Sequence, residues 1–343
     1  MLLLLSFACT QPTVPSLPDS NEPVDSENPQ DSQPVDSEDT DEPPWEGEPL
    51  PWPTVDYDCS EVPSDPEAYG EAETFDDARG WHGMAFLADG SMVGWDGRNS
   101  ITKTTYGEEY EVWIPGLSYL EQFVQHPNGD IYTIRLEQGE VIRISPEGGW
   151  ETVMTGLYYG YGLTFGPDGK LYVTDGDVWR LDLETMESER LLRHPANDAW
   201  LYRDVTFNED TTKMYISKVY DLAVEVVDLD EDMNLVGEPT VFAEVPGMWK
   251  DGLQMDACGY LWLPDYERRS LFRVSPDGSE VLEVLKGSEK HYGHAVEWGN
   301  GVGWREDAIY LPKPYDRARV KELVIGVPDG RLVRHWKGEK SAF

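Results

Sequence analysis

Positive charge is scarce in this 343-residue chain, where 27 Lys and Arg face 66 Asp and Glu for a formal charge of −39. Such a surface repels phosphate backbones and anionic headgroups, which excludes nucleic acid as a partner. Long apolar runs are missing as well. The one candidate, residues 1–8, is under half of the roughly 20 residues needed to cross a bilayer. Cysteine is limited to Cys9, Cys59 and Cys258, none of them in a CxxC spacing or beside a histidine, so a cysteine-based zinc site is excluded. The chain also lacks a Gly-rich phosphate loop, a Gly-x-Ser-x-Gly elbow and a His-Glu-x-x-His helix. The acidic run at 228–232 has neither the glycine nor the terminal glutamate of an EF-hand loop and reads as a solvated turn.

What is present is unevenly distributed. Residues 10–55 hold 12 acids, 11 prolines, no Lys or Arg, and a pentapeptide Pro-Val-Asp-Ser-Glu that occurs at 23–27 and again at 34–38. A segment so poor in apolar surface cannot offset its chain entropy, so a disordered, self-repelling acidic linker is expected there. Ahead of it, Leu2 to Leu5 followed by Ser6-Phe7-Ala8-Cys9 is similar to the end of a bacterial lipoprotein signal, with Cys9 as the lipidated residue. The expected organisation is therefore a signal segment (1–9), a linker (10–55) and one folded domain (56–343), exported and lipid-anchored in the cell envelope, facing the periplasm or on the outer membrane. Membrane contact would come only through the anchor, and a monomer is expected. In an exported chain the remaining cysteines, Cys59 and Cys258, form either a disulfide pinning the N-terminal segment to the domain or two free thiols.

The folded region repeats itself. Leu163-Thr164-Phe165 leads into the turn Gly166-Pro167-Asp168-Gly169, then Leu171-Tyr172-Val173-Thr174, Val178-Trp179-Arg180-Leu181 and Ser188-Glu189-Arg190-Leu191, four short strands joined by tight turns. The phrase recurs with Ala88-Asp89-Gly90, Pro127-Asn128-Gly129 and Ala257-Cys258-Gly259, and in degenerate form near 205–210 and 296–298. First strands fall near 82, 121, 161, 203, 251 and 294, spaced by 39, 40, 42, 48 and 43 residues. Six copies of four strands predict an all-β, six-bladed β-propeller, whose blades run about 40 to 50 residues. A terminal strand must close the last blade, and either 71–75 or 323–333 would supply it.

Each innermost strand of a propeller starts at one mouth of the central channel, which places His82, Glu121, Tyr161, Arg203, Asp251 and His294 around that mouth. All six are polar or ionisable, and their convergence on one concavity marks the candidate site. His291 reads as a rim residue. The locally basic stretch 313–319 reads as either a plain surface loop or a fringe of the pocket that attracts anions.

The stretch Asp251-Gly252-Leu253-Gln254-Met255-Asp256-Ala257-Cys258-Gly259-Tyr260-Leu261-Trp262 resembles the Asp-Gly, turn, Leu-Trp segment of the senescence-marker-protein and gluconolactonase family, and 163–173 resembles NHL-like propellers generally. The likeness spans about residues 80–330. It implies a divalent cation, usually calcium, held by Glu, Asn, Asn and Asp on the inner strands of blades one, three, four and five, the last also acting as general base on a lactone. Only Asp251 matches; His82 and Tyr161 replace the first two, and Arg203 or Asp204 the third. A metal would then rest on His82, Glu121, Asp251 and His294, a mixed set better suited to zinc, manganese or iron than to calcium.

Two functions stay open. In one, a metal polarises an ester or lactone carbonyl while Asp251 or Glu121 acts as general base. In the other, Tyr161, Arg203 and Asp204 help a non-catalytic propeller bind a small molecule, glycan or protein, or the polar ring satisfies itself as a plug without a ligand.

Overall fold

The computed structural model describes residues 57–63, 69, 73–194, 201–286 and 293–333. Cys9, expected to be lipidated, the segment 10–55, expected to be a linker, and His291 lie outside them. The described residues form six four-stranded antiparallel sheets, the blades of a β-propeller, with strands in sequence order from the channel outward in the first five. Blade one comprises Met84–Phe86, Ser91–Trp95, Ser100–Thr105 and Glu111–Pro115. Blade two follows with Leu120–Gln125, Ile131–Arg135, Glu140–Ile144 and Trp150–Thr155, and blade three with Leu163–Phe165, Leu171–Thr174, Val178–Leu181 and Ser188–Leu192. Blade four is Leu201–Phe207, Lys213–Val219, Ala223–Leu229 and Leu235–Glu244, and blade five Gln254–Met255, Leu261–Asp265, Ser270–Val274 and Val281–Leu285. Every inner strand begins within a few residues of the position expected from the repeat.

The turns form as their sequences dictate. In the turn at 166–169, Gly169 N donates to Gly166 O at 3.0 Å and the Asp168 carboxylate accepts from Lys170 N at 3.2 Å. The turn at 87–90 repeats this, with Gly90 N to Leu87 O and Ser91 N to Asp89 Oδ1.

The closure left open by the sequence is made by the N-terminal segment. Blade six runs Glu297–Trp298, Ala308–Lys313, Arg319–Val324 and then Glu73–Phe75 as its outermost strand, with Thr74 opposite Lys321 and Phe75 opposite Val320. The C-terminal residues Gly330–Val333 instead form one helical turn. A second fastening lies just upstream, where Cys59 and Cys258 are disulfide-bonded across a separation of 199 residues. Tyr69 is buried edge-on against Trp262 at 5.6 Å and takes a hydrogen bond from Arg273. The N-terminal segment is thus held against the ring at three points.

The core lies between blades rather than inside them. Ile101 and Val93 of blade one pack on Phe123 and Ile142 of blade two. Trp262 and Leu271 of blade five pack on Val296, Ile309 and Leu323 of blade six. Met84 and Phe86 close the circle against Trp304, Tyr310 and Val320. Each sheet is covered by its two neighbours, so the apolar side chains of its strands are buried between blades.

Candidate functional site

Two devices turn the inner-strand residues into the channel. In blade two the register slips between Leu120 and Phe123, and in blade four between Tyr202 and Asp204, so Glu121 and Arg203 sit on β-bulges. A bulge re-aims a side chain that a regular strand would place elsewhere. In blades one, three and five, the site residues His82, Tyr161 and Asp251 lie just ahead of the strand and each is followed by glycine. A Cβ on Gly162 would lie 2.3 Å from Arg203 O, and one on Gly83 would lie 2.8 Å from the Cα of Gln122. Only glycine allows neighbouring inner strands to approach that closely.

The six expected residues come together, but as pairs. His82 Nδ1 meets Glu121 Oε2 at 2.5 Å, and His294 Nδ1 meets Asp251 Oδ2 at 2.5 Å. Arg203 Nε donates to the other Asp251 oxygen at 2.9 Å, and its guanidinium lies 3.9 Å from the centre of the Tyr161 ring. The two imidazoles face each other with centroids 4.4 Å apart. Asp251 is fully buried, Glu121 is 1% exposed, and the His82 side chain, at 18%, is the accessible member of the group.

Burial and charge set the protonation states. Burial would push Asp251 up, yet the Arg203 guanidinium and the His294 hydrogen bond hold it below the usual carboxylate range. Burial pushes Glu121 up against the opposing pull of His82. Burial, then His82, takes His294 down to about 4, so it is neutral near pH 7. With Asp251 ionised, the His294 Nδ1 carries the proton, leaving Nε2 as a lone pair, buried and without a hydrogen-bond partner. Tyr161 is also deeply buried, and its hydroxyl faces the same carboxylate without closing a hydrogen bond of normal geometry.

The expected metal ligands His82, Glu121, Asp251 and His294 are brought together as two imidazole–carboxylate pairs. Glu121 and Asp251 spend oxygens on imidazole and guanidinium rather than turning them toward a shared point, and a permanent cation, Arg203, sits among them. Among the described residues no group of three or more His, Cys, Asp or Glu is placed to hold a metal ion. Glu121 and Asp251, the expected general bases, each pair with a histidine Nδ1. Asp204, expected to face a ligand, is buried inside the channel and spends its oxygens on the protein: it accepts from Val205 N at 2.9 Å, Leu253 N at 2.9 Å and Gln122 Nε2 at 3.1 Å, tying blades two, four and five together. Burial raises Asp204 to about 7 and, nearby, Glu297 to about 8, where Arg331 of the C-terminal turn reaches it at 3.3 Å.

The sequence reading missed the aromatic wall around the mouth. Tyr266 stacks on His294 at 4.5 Å, Tyr315 lies 6.1 Å from Tyr266 and 5.8 Å from Trp81, and Trp81 lies 5.9 Å from His82. Tyr159 lies 5.3 Å from the Arg203 guanidinium on the opposite side. The cluster Tyr158-Tyr159-Gly160-Tyr161 was the one local signal for it; the rest is assembled from distant segments.

The sequence model for the SMP-30/Gluconolactonase/LRE-like region matches residues 204–292. That match contains the 251–262 segment on which the resemblance rested. No curated protein sequence matches the chain. Among solved structures, a gluconolactonase from Xanthomonas campestris superposes with a TM-score of 0.64 at 15% identity, over 81% of this chain and 98% of that one. A calcium-binding regucalcin from Agrobacterium tumefaciens gives 0.62 at 12% identity, over 76% and 95%. A catalytically inactive histidine-to-alanine variant of virginiamycin B lyase from Staphylococcus aureus, with quinupristin, gives 0.53 at 14% identity, over 74% and 99%. At these identities the likeness establishes the fold.

Proposed function

We propose that the channel mouth hydrolyses an ester or lactone by imidazole acid–base chemistry. The observation that carries this reading is the pair of facing histidines, each oriented through Nδ1 by a buried carboxylate, with His294 Nε2 left as an unpartnered base. A carboxylate that fixes the tautomer and leaves Nε2 free for proton transfer is the arrangement by which histidine serves as general base. In the proposed step His294 Nε2 takes a proton from water as its oxygen attacks the carbonyl carbon. The Arg203 guanidinium lies close enough to the pair to stabilise the developing oxyanion. The bond to the leaving oxygen then breaks, and His82 delivers a proton to that oxygen, yielding acid and alcohol. The gluconolactonase likeness favours the same substrate class. The aromatic wall would cover the apolar face of the substrate and exclude bulk water.

The test is a panel of chromogenic esters and five- and six-membered lactones with the purified full chain, before and after exhaustive chelation. Hydrolysis that survives chelation is expected. A rate lost on chelation and restored by one divalent ion would replace the imidazole reading with a metal-dependent one, and no hydrolysis across the panel would favour the non-catalytic binding role.

We further propose that the protein works outside the cytoplasm, anchored by lipid on Cys9 and held off the membrane by the acidic segment at 10–55. The Cys59–Cys258 disulfide supports an oxidising compartment. Labelling of growing cells with a clickable fatty acid should mark the protein and be lost in Cys9→Ser; labelling that persists in that variant would rule the anchor out.

A further inference from the structure

Beside the mouth, the segments 79–81, 96–98 and 314–317 enclose a depression of about 690 Å³ lined by Arg79, Arg98, Arg317, Trp81, Tyr110 and Tyr315. Three arginines meeting in one place is unexpected in a chain with 27 basic and 66 acidic residues. Elsewhere the basic side chains are mostly taken up by carboxylates. In the same loop, Lys313 and Arg319 both pair with Asp316, and Arg319 also with Asp76. Arg98 and Arg317 are exposed and have no carboxylate within ion-pair distance among the described residues. Arg79 makes no ion pair among the described residues, although its charge is felt by the Asp76 carboxylate; it donates to the carbonyls of Asp76 and Ala78 and lies 4.3 Å over the Tyr110 ring. The one acid in the lining, Asp96, directs Oδ1 at the backbone N–H groups of Arg98, Asn99 and Ser100.

The depression is built rather than incidental. Gly97 lies so close to the Trp81 indole that a Cβ there would be 1.9 Å from its Cε3, and Gly80 N donates to Ala318 O at 2.7 Å. Arg317 and Ala318 both hold left-handed backbone, at φ 58° and 56°, a conformation that costs free energy for non-glycine residues and persists only where the surroundings enforce it. Trp81 and Tyr315 are shared walls, since Trp81 also contacts His82 and Tyr315 contacts Tyr266 above His294.

We infer that this depression is a subsite for an oxyanion, a carboxylate or a phosphate, borne by the ligand whose other end lies over His82 and His294. Planar guanidinium groups without internal counterions suit such groups by charge and by paired N–H donors. The overall negative field makes the subsite selective, because an anion is repelled everywhere except where arginines cluster. Where the ligand is hydrolysed, the inference rests on the proposed chemistry to name it as an acid-bearing ester or lactone; the anion subsite itself does not depend on that chemistry.

Calorimetric titration of the full chain with inorganic phosphate and with glutarate tests the subsite and separates the two oxyanions. Saturable binding of at least one is expected, weakened about tenfold or more in Arg98→Gln/Arg317→Gln, and unchanged in Arg305→Gln, an arginine on the far side of blade six paired with Asp307. No saturable binding, equal binding by the double variant, or the same loss in the Arg305 control overturns the inference. Rates on mono-4-nitrophenyl glutarate against neutral 4-nitrophenyl butyrate separate this inference from the proposed chemistry. A preference for the anionic ester that vanishes in the double variant, with the neutral rate kept, supports both. Cleavage of both esters without preference sinks the subsite alone. Absence of cleavage together with arginine-dependent anion binding sinks the hydrolysis alone.

Discussion

Replacing His294 with alanine is expected to lower ester or lactone hydrolysis by about 100- to 10,000-fold, the usual contribution of a positioned general base, while leaving the chain folded. The loss follows from a single atom. His294 Nε2 is a buried basic nitrogen without a hydrogen-bond partner, and Asp251 fixes the ring by accepting from Nδ1. The fold should survive because Asp251 keeps its second partner, Arg203, at 2.9 Å. The pH profile carries a sign that distinguishes this base from an ordinary histidine. Burial, then His82 and the Arg203 guanidinium, favour the neutral ring, with a pKa of about 4. The active form is therefore present above that value and is lost only as pH falls through it. A wild-type kcat/KM that holds from neutrality down to about pH 5, where an unperturbed histidine would already be largely protonated, is the expected result. A decline centred near 6.5 would instead place the base at a solvated imidazole, and an unchanged rate in His294→Ala would remove it from the reaction.

The architecture was readable from sequence because propeller blades repeat. A period near 40 residues, a turn phrase such as Gly166-Pro167-Asp168-Gly169 and the alternation of short strands locate all six inner strands, and the inner-strand starts then name the polar ring. Chemistry was less legible for a physical reason. The bulge between Tyr202 and Asp204 lets both Arg203 and Asp204 turn inward, one to Asp251 and the other to Gln122 and Leu253, which the alternation of a regular strand would not give. Residue type alone names the polar ring, whereas its grouping into two imidazole–carboxylate pairs and a guanidinium lies in angles and separations no spacing encodes. The aromatic wall and the arginine depression draw on residues as far apart as Arg79 and Arg317, which ring closure alone brings together. Closure was ambiguous for a similar reason: a three-residue strand such as Glu73–Phe75 has too little pattern to announce its partner.

The largest effect on stability is expected at Arg203. Its side chain is 4% exposed, and that of its partner Asp251 is not exposed at all. Removing one member of such a pair leaves a desolvated charge without its counterion, at a cost of about 3–5 kcal/mol, whereas removing both is often close to neutral. Arg203→Met should therefore lower the free energy of unfolding in urea by about that amount, and Arg203→Met with Asp251→Asn should recover a large part of it, giving a coupling energy well beyond the roughly 0.5 kcal/mol scatter of independent sites. Arg203→Lys should not substitute, because an ammonium on a flexible stem lacks the planar face that lies over Tyr161 at 3.9 Å while its Nε–H reaches Asp251. Strictly additive costs in the double variant, or a loss below about 1 kcal/mol in Arg203→Met, would mean that water or His294 neutralises Asp251 unaided. A strong coupling would instead identify Arg203 as the counterion that keeps Asp251 ionised, and Asp251 as the group that holds the His294 proton on Nδ1. The same ion pair would then hold the channel together and leave His294 Nε2 free to act as a base.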